Sequence, residues 1–368
     1  MDRSTTLPRT TKPGPEQEAL TARMCRLASL ESTDAYILSI YADVRPQAHG
    51  ERPGERSELT VVRDRLRQIR GSLDAHTPHH ESFEADADRI ERFLDEEDLD
   101  ATDGLAIFAC HAIGLWEVVE AHQPFDTRVA AGPTADLFEL ARLLEDAESA
   151  VVAVVDTNSC RLFVTRRGRL EERAGPDEAA EDHRRQAQGG WSQSRYQRHV
   201  DFHDKRFAKE AAAAIQRLVA GERAQHVILA GDERAIPILE EALPESVRAI
   251  VEHVARLEMR ANVSEVRAEV APMLAALEEA EATDLADQAI AEWLAGDLGV
   301  VGIEATMKAL EMGQVDQLVL DEAAPIDEEL RAELVRQAAL TDAGVEIVTG
   351  HAGLARHDGV AATLRFRL

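Results

Sequence analysis

An α/β protein of three domains is what the sequence predicts, on three observations. At 368 residues the chain is too long for one ordinary core. Apolar residues make up 45% of it but aromatic residues only 4%, so its cores must be built from Leu, Val, Ile and Ala, which suits α/β layers better than an aromatic-rich sandwich. Finally, short apolar runs of strand length alternate along the chain with longer segments whose apolar residues recur at helical spacing.

Taken in order, residues 1–20 read as a disordered tail, without the apolar run of a signal sequence. A first α/β domain is expected over residues 21–148. "AYILSIYADV" has the apolar density of a buried strand, "SELTVVRDRLRQIRGSL" has helical spacing, and "GLAIFAC" and "LWEVVEAH" read as paired strands. "TADLFELARLLEDAE" reads as a helix with Thr134 at its N-cap. A central domain over residues 149–260 opens with "AVVAVVDTNSCRLFVTRRGRLEER", three short strands separated by Asp-Thr-Asn-Ser and Arg-Gly turns. A polar linker follows, then a long helix to about Ala220, strand "HVILAG", helix "ERAIPILEEAL" and a strand around "VRAIV". The third domain, residues 261–368, opens on a helix capped by Ser264 or Asn262. It continues through helix "GIEATMKALEMG", strand "VDQLVL", helix "DEELRAELVRQAAL" and strands "VEIVTG" and "GVAATLRFRL".

Charge and cysteine usage narrow the function classes. A formal charge of −28 opposes nonspecific contact with DNA or a membrane, so contact with nucleic acid must be local. No segment reaches transmembrane length. The three cysteines, Cys25, Cys110 and Cys160, form no C-x-x-C pair, which argues against disulfide frameworks and zinc ribbons and for a reducing cytoplasm.

Against that background "HRRQAQGGWSQSRYQRHVDFHDKRFAKE", His183 to Glu210, stands out, with seven Arg and Lys against three carboxylates, net +4. On a helix at about 100° per residue, Tyr196, Val200, Phe207, Ala211, Ala214 and Leu218 share one side. Arg195, Arg198, Lys205 and Lys209 fall nearly opposite, with Phe202 among them. Cations interleaved with aromatic groups suit RNA, whose phosphates seek charge and whose unstacked bases seek a π-face; a solvated helix surface is the plainer alternative. Gly189 and Gly190 let the preceding segment approach another molecule closely, and a flexible connector would use them equally well. His199 and His203 have the i, i+4 spacing of metal ligands, but the Glu of H-E-x-x-H is missing, so no metal is expected. His79, His80, His351 and His357 read as solvated loop histidines, and no cofactor motif is present.

"GGWSQSRYQR" resembles the Gly-Gly-Gln-Ser-x-x-Arg-Phe-x-Arg segment of the archaeal and eukaryotic class I peptide-chain release factors, and a long helix and a "VILAG" strand follow it as in that family. "GIEATMKALEMGQVDQLVLDE" and "GVAATLRF" are similar to stretches of that family's third domain. The family's stop-codon-reading Asn-Ile-Lys-Ser and Tyr-x-Cys-x-x-x-Phe motifs are absent, so the closer likeness is to release-factor-like paralogues, within the Pelota and Vms1-type superfamily.

The resemblance implies a central five-stranded mixed sheet that carries the Gly-Gly loop and a long basic helix, followed by a C-terminal α/β sandwich. The ribosome and peptidyl-tRNA become the expected partners and a translational GTPase a possible one, with no cofactor, membrane or DNA. Trp191 stands where the family has glutamine, while Ser192, Arg195 and Arg198 match its Ser and Arg positions. The implied catalytic set is Gly189, Gly190 and Gln193, with Gln193 placing water through a shifted loop; the alternative is that Trp191 fills the site and hydrolysis is lost. Arg184, Arg185, Trp191, Arg195, Arg198, Phe202, Lys205 and Lys209 are the expected RNA contacts. The function expected is hydrolysis of peptidyl-tRNA in the A site without stop-codon decoding. A noncatalytic ribosome-binding hibernation or stress factor and a generic RNA-binding scaffold are the alternatives.

Overall fold

The structure, a computed structural model, describes residues 15–45, 57–100, 102–145, 149–166, 169–175, 193–254 and 257–367, apart from the side chains of residues 15–17, 145, 166 and 193–204. It is a mixed α/β fold with three sheets, grouped into two compact units. One unit joins Ala19–Asp146 to Leu277–Leu368, and the other is built on Ala147–Ala276 with the chain's first residues to Glu18.

The first stretch contains α1 (Pro15–Ala28), β1 (Ile37–Asp43), α2 (Ser57–Ser72), α3 (Pro78–Glu96), β2 (Gly104–Cys110), β3 (Leu115–Ala121), β4 (Arg128–Gly132) and α4 (Phe138–Glu145). Its strands form an antiparallel sheet in the order β3-β2-β1-β4. Leu38, Ile40 and Ala42 of β1 face α2 and α3, while Ile37 and Tyr41 face the other side, toward α1 and α4. Burial on both faces is why β1 and β2 read as continuous apolar runs instead of alternating ones.

Two expectations change here. His79 and His80 sit in the first turn of α3, because Thr77 caps that helix by accepting from the His80 backbone N–H (3.2 Å) and Pro78 opens it. The helix of "TADLFELARLLEDAE" starts at Phe138, and Thr134 instead makes an isolated bridge with Glu31. The intervening Asp136 is held by β1. Its backbone N–H donates to Ser39 Oγ (2.9 Å) and its carbonyl accepts from the Tyr41 hydroxyl (2.7 Å). Burial, with Asp136 and Glu139 nearby, raises the Tyr41 phenol well above its usual range and keeps it a donor.

The second unit contains β5 (Ala150–Val155), β6 (Cys160–Arg166), β7 (Arg169–Arg173), α5 (Gln193–Glu222), β8 (His226–Gly231), α6 (Ala235–Ala242), α7 (Glu245–Arg248), β9 (Val251–Val254) and the first turns of α8 (Val263–Ala295). Its five-stranded sheet runs β7-β6-β5-β8-β9, with β5, β8 and β9 mutually parallel and β6 and β7 antiparallel. The strand expected around "VRAIV" begins only at Val251, since Glu245–Arg248 form the short α7. Asn262 caps α8 with a reciprocal box: it accepts from the Glu265 backbone N–H (3.0 Å), and its own N–H donates to the Glu265 carboxylate (2.7 Å). Arg161 fastens this entry by donating to the carbonyls of Met259 (3.0 Å) and Ala261 (2.5 Å) while paired with Glu172.

The last stretch contains β10 (Gly299–Val301), α9 (Ile303–Glu311), β11 (Val315–Asp321), α10 (Glu328–Leu340), β12 (Gly344–Val348) and β13 (Val360–Leu364). The sheet order is β10-β13-β11-β12, parallel between β11 and β12 and antiparallel elsewhere. β10, three residues long, escapes the sequence reading because so short a run carries no periodicity.

One face of this sheet packs on Ala282, Ala286 and Ala289 of α8. The other merges with the first stretch. Leu318, Leu320, Leu334, Val335 and Ala338 belong to the same buried cluster as Leu27, Tyr41, Phe108, Phe138 and Leu140. Because that cluster is continuous, Leu334→Ala is expected to cost about 2–5 kcal/mol. It should also accelerate hydrogen exchange in Ile37–Asp43 and Phe138–Glu145 as well as in α10. Faster exchange confined to residues 277–368 would contradict a single core.

Candidate functional site

The topology of the second unit decides what the cationic segment can do. β8 lies parallel to β5, so the chain must cross from one end of the sheet to the other after β7, and α5 is that crossover. Its buried stripe is Ala208, Ala211, Ala212, Ala214 and Ile215, flanked by partly buried Phe207, Leu218 and Val219. Lys205, Arg206 and Lys209 are exposed on the other side, with Arg206 paired to Glu210 at 3.1 Å. The two faces expected of this helix are therefore present over its described turns. Arg184, Arg185, Gly189, Gly190 and Trp191 lie outside the described residues. Gln193, Arg195, Arg198, His199, Phe202 and His203 belong to the first turns of α5, and their side chains lie outside the described residues.

Below α5, at the carboxyl ends of β5 and β8, is a small apolar depression. Val155, Asp156 and Thr157 form its floor, Phe207 and Ala211 one wall, and Ile238 and Leu239 of α6 the other. Carboxyl ends of parallel strands are where α/β sheets leave such crevices. Asp156 holds the β5–β6 turn by accepting from the backbone N–H groups of Asn158 (2.8 Å) and Ser159 (2.6 Å). Burial, and then Asp156, push the Cys160 thiol up to about 12, so it stays protonated and is no nucleophile.

The sequence reading did not single out Gly231. It sits at φ 120°, where an added Cβ would run into the Val155 carbonyl oxygen, and that same oxygen accepts from the Asp232 N–H at 2.8 Å. Asp232 in turn accepts from the Arg234 N–H (2.7 Å) just before α6. Gly231 thus lets β8 and β5 converge where α6 departs; the "VILAG" stretch carries its only sequence signal. Among the described residues no cluster of three or more His, Cys, Asp or Glu could hold a metal ion. No described helix is long and apolar enough to cross a membrane.

Comparison with known proteins bears on this unit. Residues 136–275 match the family model described as bacterial archaeo-eukaryotic release factor family 10. Over that stretch the chain is similar to that family. The Bacillus subtilis (strain 168) protein YocB is 21% identical over 224 residues, 59% of this chain and 85% of its own length. Among solved structures, the archaeal translation termination factor aRF1 aligns at 19% identity over 95% of this chain and 98% of its own, with a TM-score of 0.27. The Saccharomyces cerevisiae translation termination-like factor Dom34 aligns at 11% identity over 69% and 75%, with a TM-score of 0.43. The matched residues include those that line the depression, α5 and the Gly-Gly segment before it.

Gly231→Ala is expected to destabilise this unit by more than about 2 kcal/mol, because strain at positive φ adds to the clash with Val155. The measurement is a urea midpoint with exchange across Ala150–Val155 and Ala235–Ala242. A substitution costing nothing would mean that β5 and β8 do not need that approach.

Proposed function

We propose that the chain is a ribosome-associated translation factor that enters the A site and hydrolyses peptidyl-tRNA without reading a stop codon, so releasing or rescuing stalled ribosomes. The release-factor-like match over residues 136–275 carries this reading. Supporting it is the exposed cationic side of α5, Lys205, Arg206 and Lys209, on a chain of charge −28, which suits a local contact with phosphates.

In this reading Arg184, Arg185, Arg195, Arg198, Lys205 and Lys209 hold rRNA or tRNA phosphates, and Trp191 and Phe202 offer π-faces to unstacked bases. Gly189 and Gly190 let the backbone approach the ester. Water attacks the ester carbonyl carbon, a loop N–H stabilises the developing oxyanion, and the bond to the tRNA ribose oxygen breaks as that oxygen takes up a proton. Gln193 places the water. A translational GTPase as delivery partner belongs to the same reading.

A second reading, a noncatalytic hibernation or stress factor, draws support from Trp191. Where the resemblance calls for glutamine, an indole can stack and occupy the site but cannot orient water through an amide. Single-turnover peptide release from stalled ribosomal complexes at saturating factor separates the two. Release by the wild type supports hydrolysis, and ribosome binding without release supports the second reading.

Two variants, one single and one double, are expected to divide the work. Gln193→Ala should leave ribosome binding nearly intact and slow release by roughly 10- to 1000-fold, the loss of one positioning group. Arg195→Ala combined with Arg198→Ala should instead weaken binding and flatten its dependence on salt. An unchanged salt slope in co-sedimentation would place the binding surface elsewhere.

A further inference from the structure

We infer that Phe207 is a positioning residue that aims the N-terminal turns of α5, and Gln193 with them; its catalytic consequence rests on the peptidyl-tRNA reading above. Among the described side chains of α5, Phe207 is the apolar one nearest the helix's N-terminal end, preceded by the exposed Lys205 and Arg206. It rests against the second unit's core where the sheet ends, over Val155 and Thr157 at the carboxyl end of β5 and beside Ile238 and Leu239 of α6.

The packing around it is incomplete. The depression that Phe207 borders has room for about one water molecule or methyl group. The stripe that continues the contact begins with the small side chains of Ala208, Ala211 and Ala212, and the next bulky buried side chain of the helix is Ile215, two turns further on. Ile215, Leu218 and Val219 anchor the C-terminal half of α5, so the ring of Phe207 is the described bulky contact that sets the angle of the helix toward its N-terminal end.

The lever is long. Gln193 lies 14 residues from Phe207 on one continuous helix, about 21 Å at the helical rise. A tilt of about 5° at Phe207 moves Gln193 by about 2 Å, and a misplacement of about 1 Å at a reacting centre can cost roughly 100-fold in rate. Truncating the ring would join its volume to the depression beneath and let the helix settle into it.

The test uses the full chain with Phe207→Ala, Phe207→Val as a milder truncation, and Phe207→Leu as the conservative replacement. Nitroxide labels at Gln197→Cys on α5 and Asn158→Cys at the exposed β5–β6 turn, in a Cys25→Ser background, report the angle of the helix. Gln197 lies about 15 Å from Phe207 along the helix, so Phe207→Ala and Phe207→Val should shift the mean distance or broaden its distribution by about 1 Å, and Phe207→Leu should restore it. In single-turnover release, Phe207→Ala should slow the rate at saturating factor by roughly 10- to 100-fold. The factor concentration giving half-maximal rate should change less than about threefold, and Phe207→Leu should recover most of the rate. An unaltered distance distribution in both truncations overturns the inference whatever release does. Equal impairment by Phe207→Leu also overturns it, reducing the residue to a generic core contact. Should the wild type release no peptide while the distances shift as expected, the hydrolase reading fails and Phe207 stands as the residue that aims α5.

Discussion

The apolar core shared by Ala19–Asp146 and Leu277–Leu368 is the constraint on which the rest of the first unit depends. The two stretches are separated by 130 residues, Ala147–Ala276, so closing the core carries a loop-entropy cost that local pairing avoids. What offsets that cost is fully buried surface: one face of the β3-β2-β1-β4 sheet with α1 and α4, and one face of the β10-β13-β11-β12 sheet with α9 and α10. Polar contacts set its register. Arg128 joins Asp136 (2.9 Å) to Glu328 (3.1 Å), Arg142 joins Glu139 to Glu322, and the Cys25 thiol donates to the Ala339 carbonyl. Desolvation pushes the Glu139 carboxyl up and Arg142 draws it back, so the carboxylate is tolerated there because a guanidinium accompanies it.

In the second unit the governing fact is the parallel pairing of β5 with β8. A hairpin cannot connect parallel neighbours, so the chain must run the length of the sheet, and the crossover helix carries the cationic side chains. The convergence at Gly231, the Asp156 turn and the seat of Phe207 all lie at the carboxyl ends of those two strands. The same end therefore holds both the close backbone approach and the packing of Phe207 of α5.

α8 shows how one helix serves two cores. Val266 and Val270 pack on the five-stranded sheet, whereas Ala282, Ala286 and Ala289 pack on the β10-β13-β11-β12 sheet. Its apolar residues consequently change face along its length, on one continuous helix from Val263 to Ala295. The Asn262–Glu265 box marks its start; the sequence offers Ser264 or Asn262 as the cap, and the hydrogen bonds single out Asn262.

Local chemistry explains what was readable. The strands of the central sheet, the turn at Asp156, the long crossover helix and the opposed faces of its described part follow from periodicity and turn residues, whereas the resemblance of "GGWSQSRYQR" to release factors rests on matching residue identities. Where a local signal competed with another, the reading failed. Thr134 looks like an N-cap but is taken by a bridge to Glu31, and His79 and His80 look like loop residues but follow a Thr77-Pro78 helix start. The sequence by itself determined the α/β class and most element positions, since each is encoded within a few neighbouring residues. Only the tertiary structure decided that the first and last stretches share one core, that Gly231 must lack a side chain and that Phe207 packs at the carboxyl end of β5 beside α6. Each of those depends on atoms brought together from distant parts of the chain, and pairwise proximity of that kind leaves no periodic mark on a single sequence.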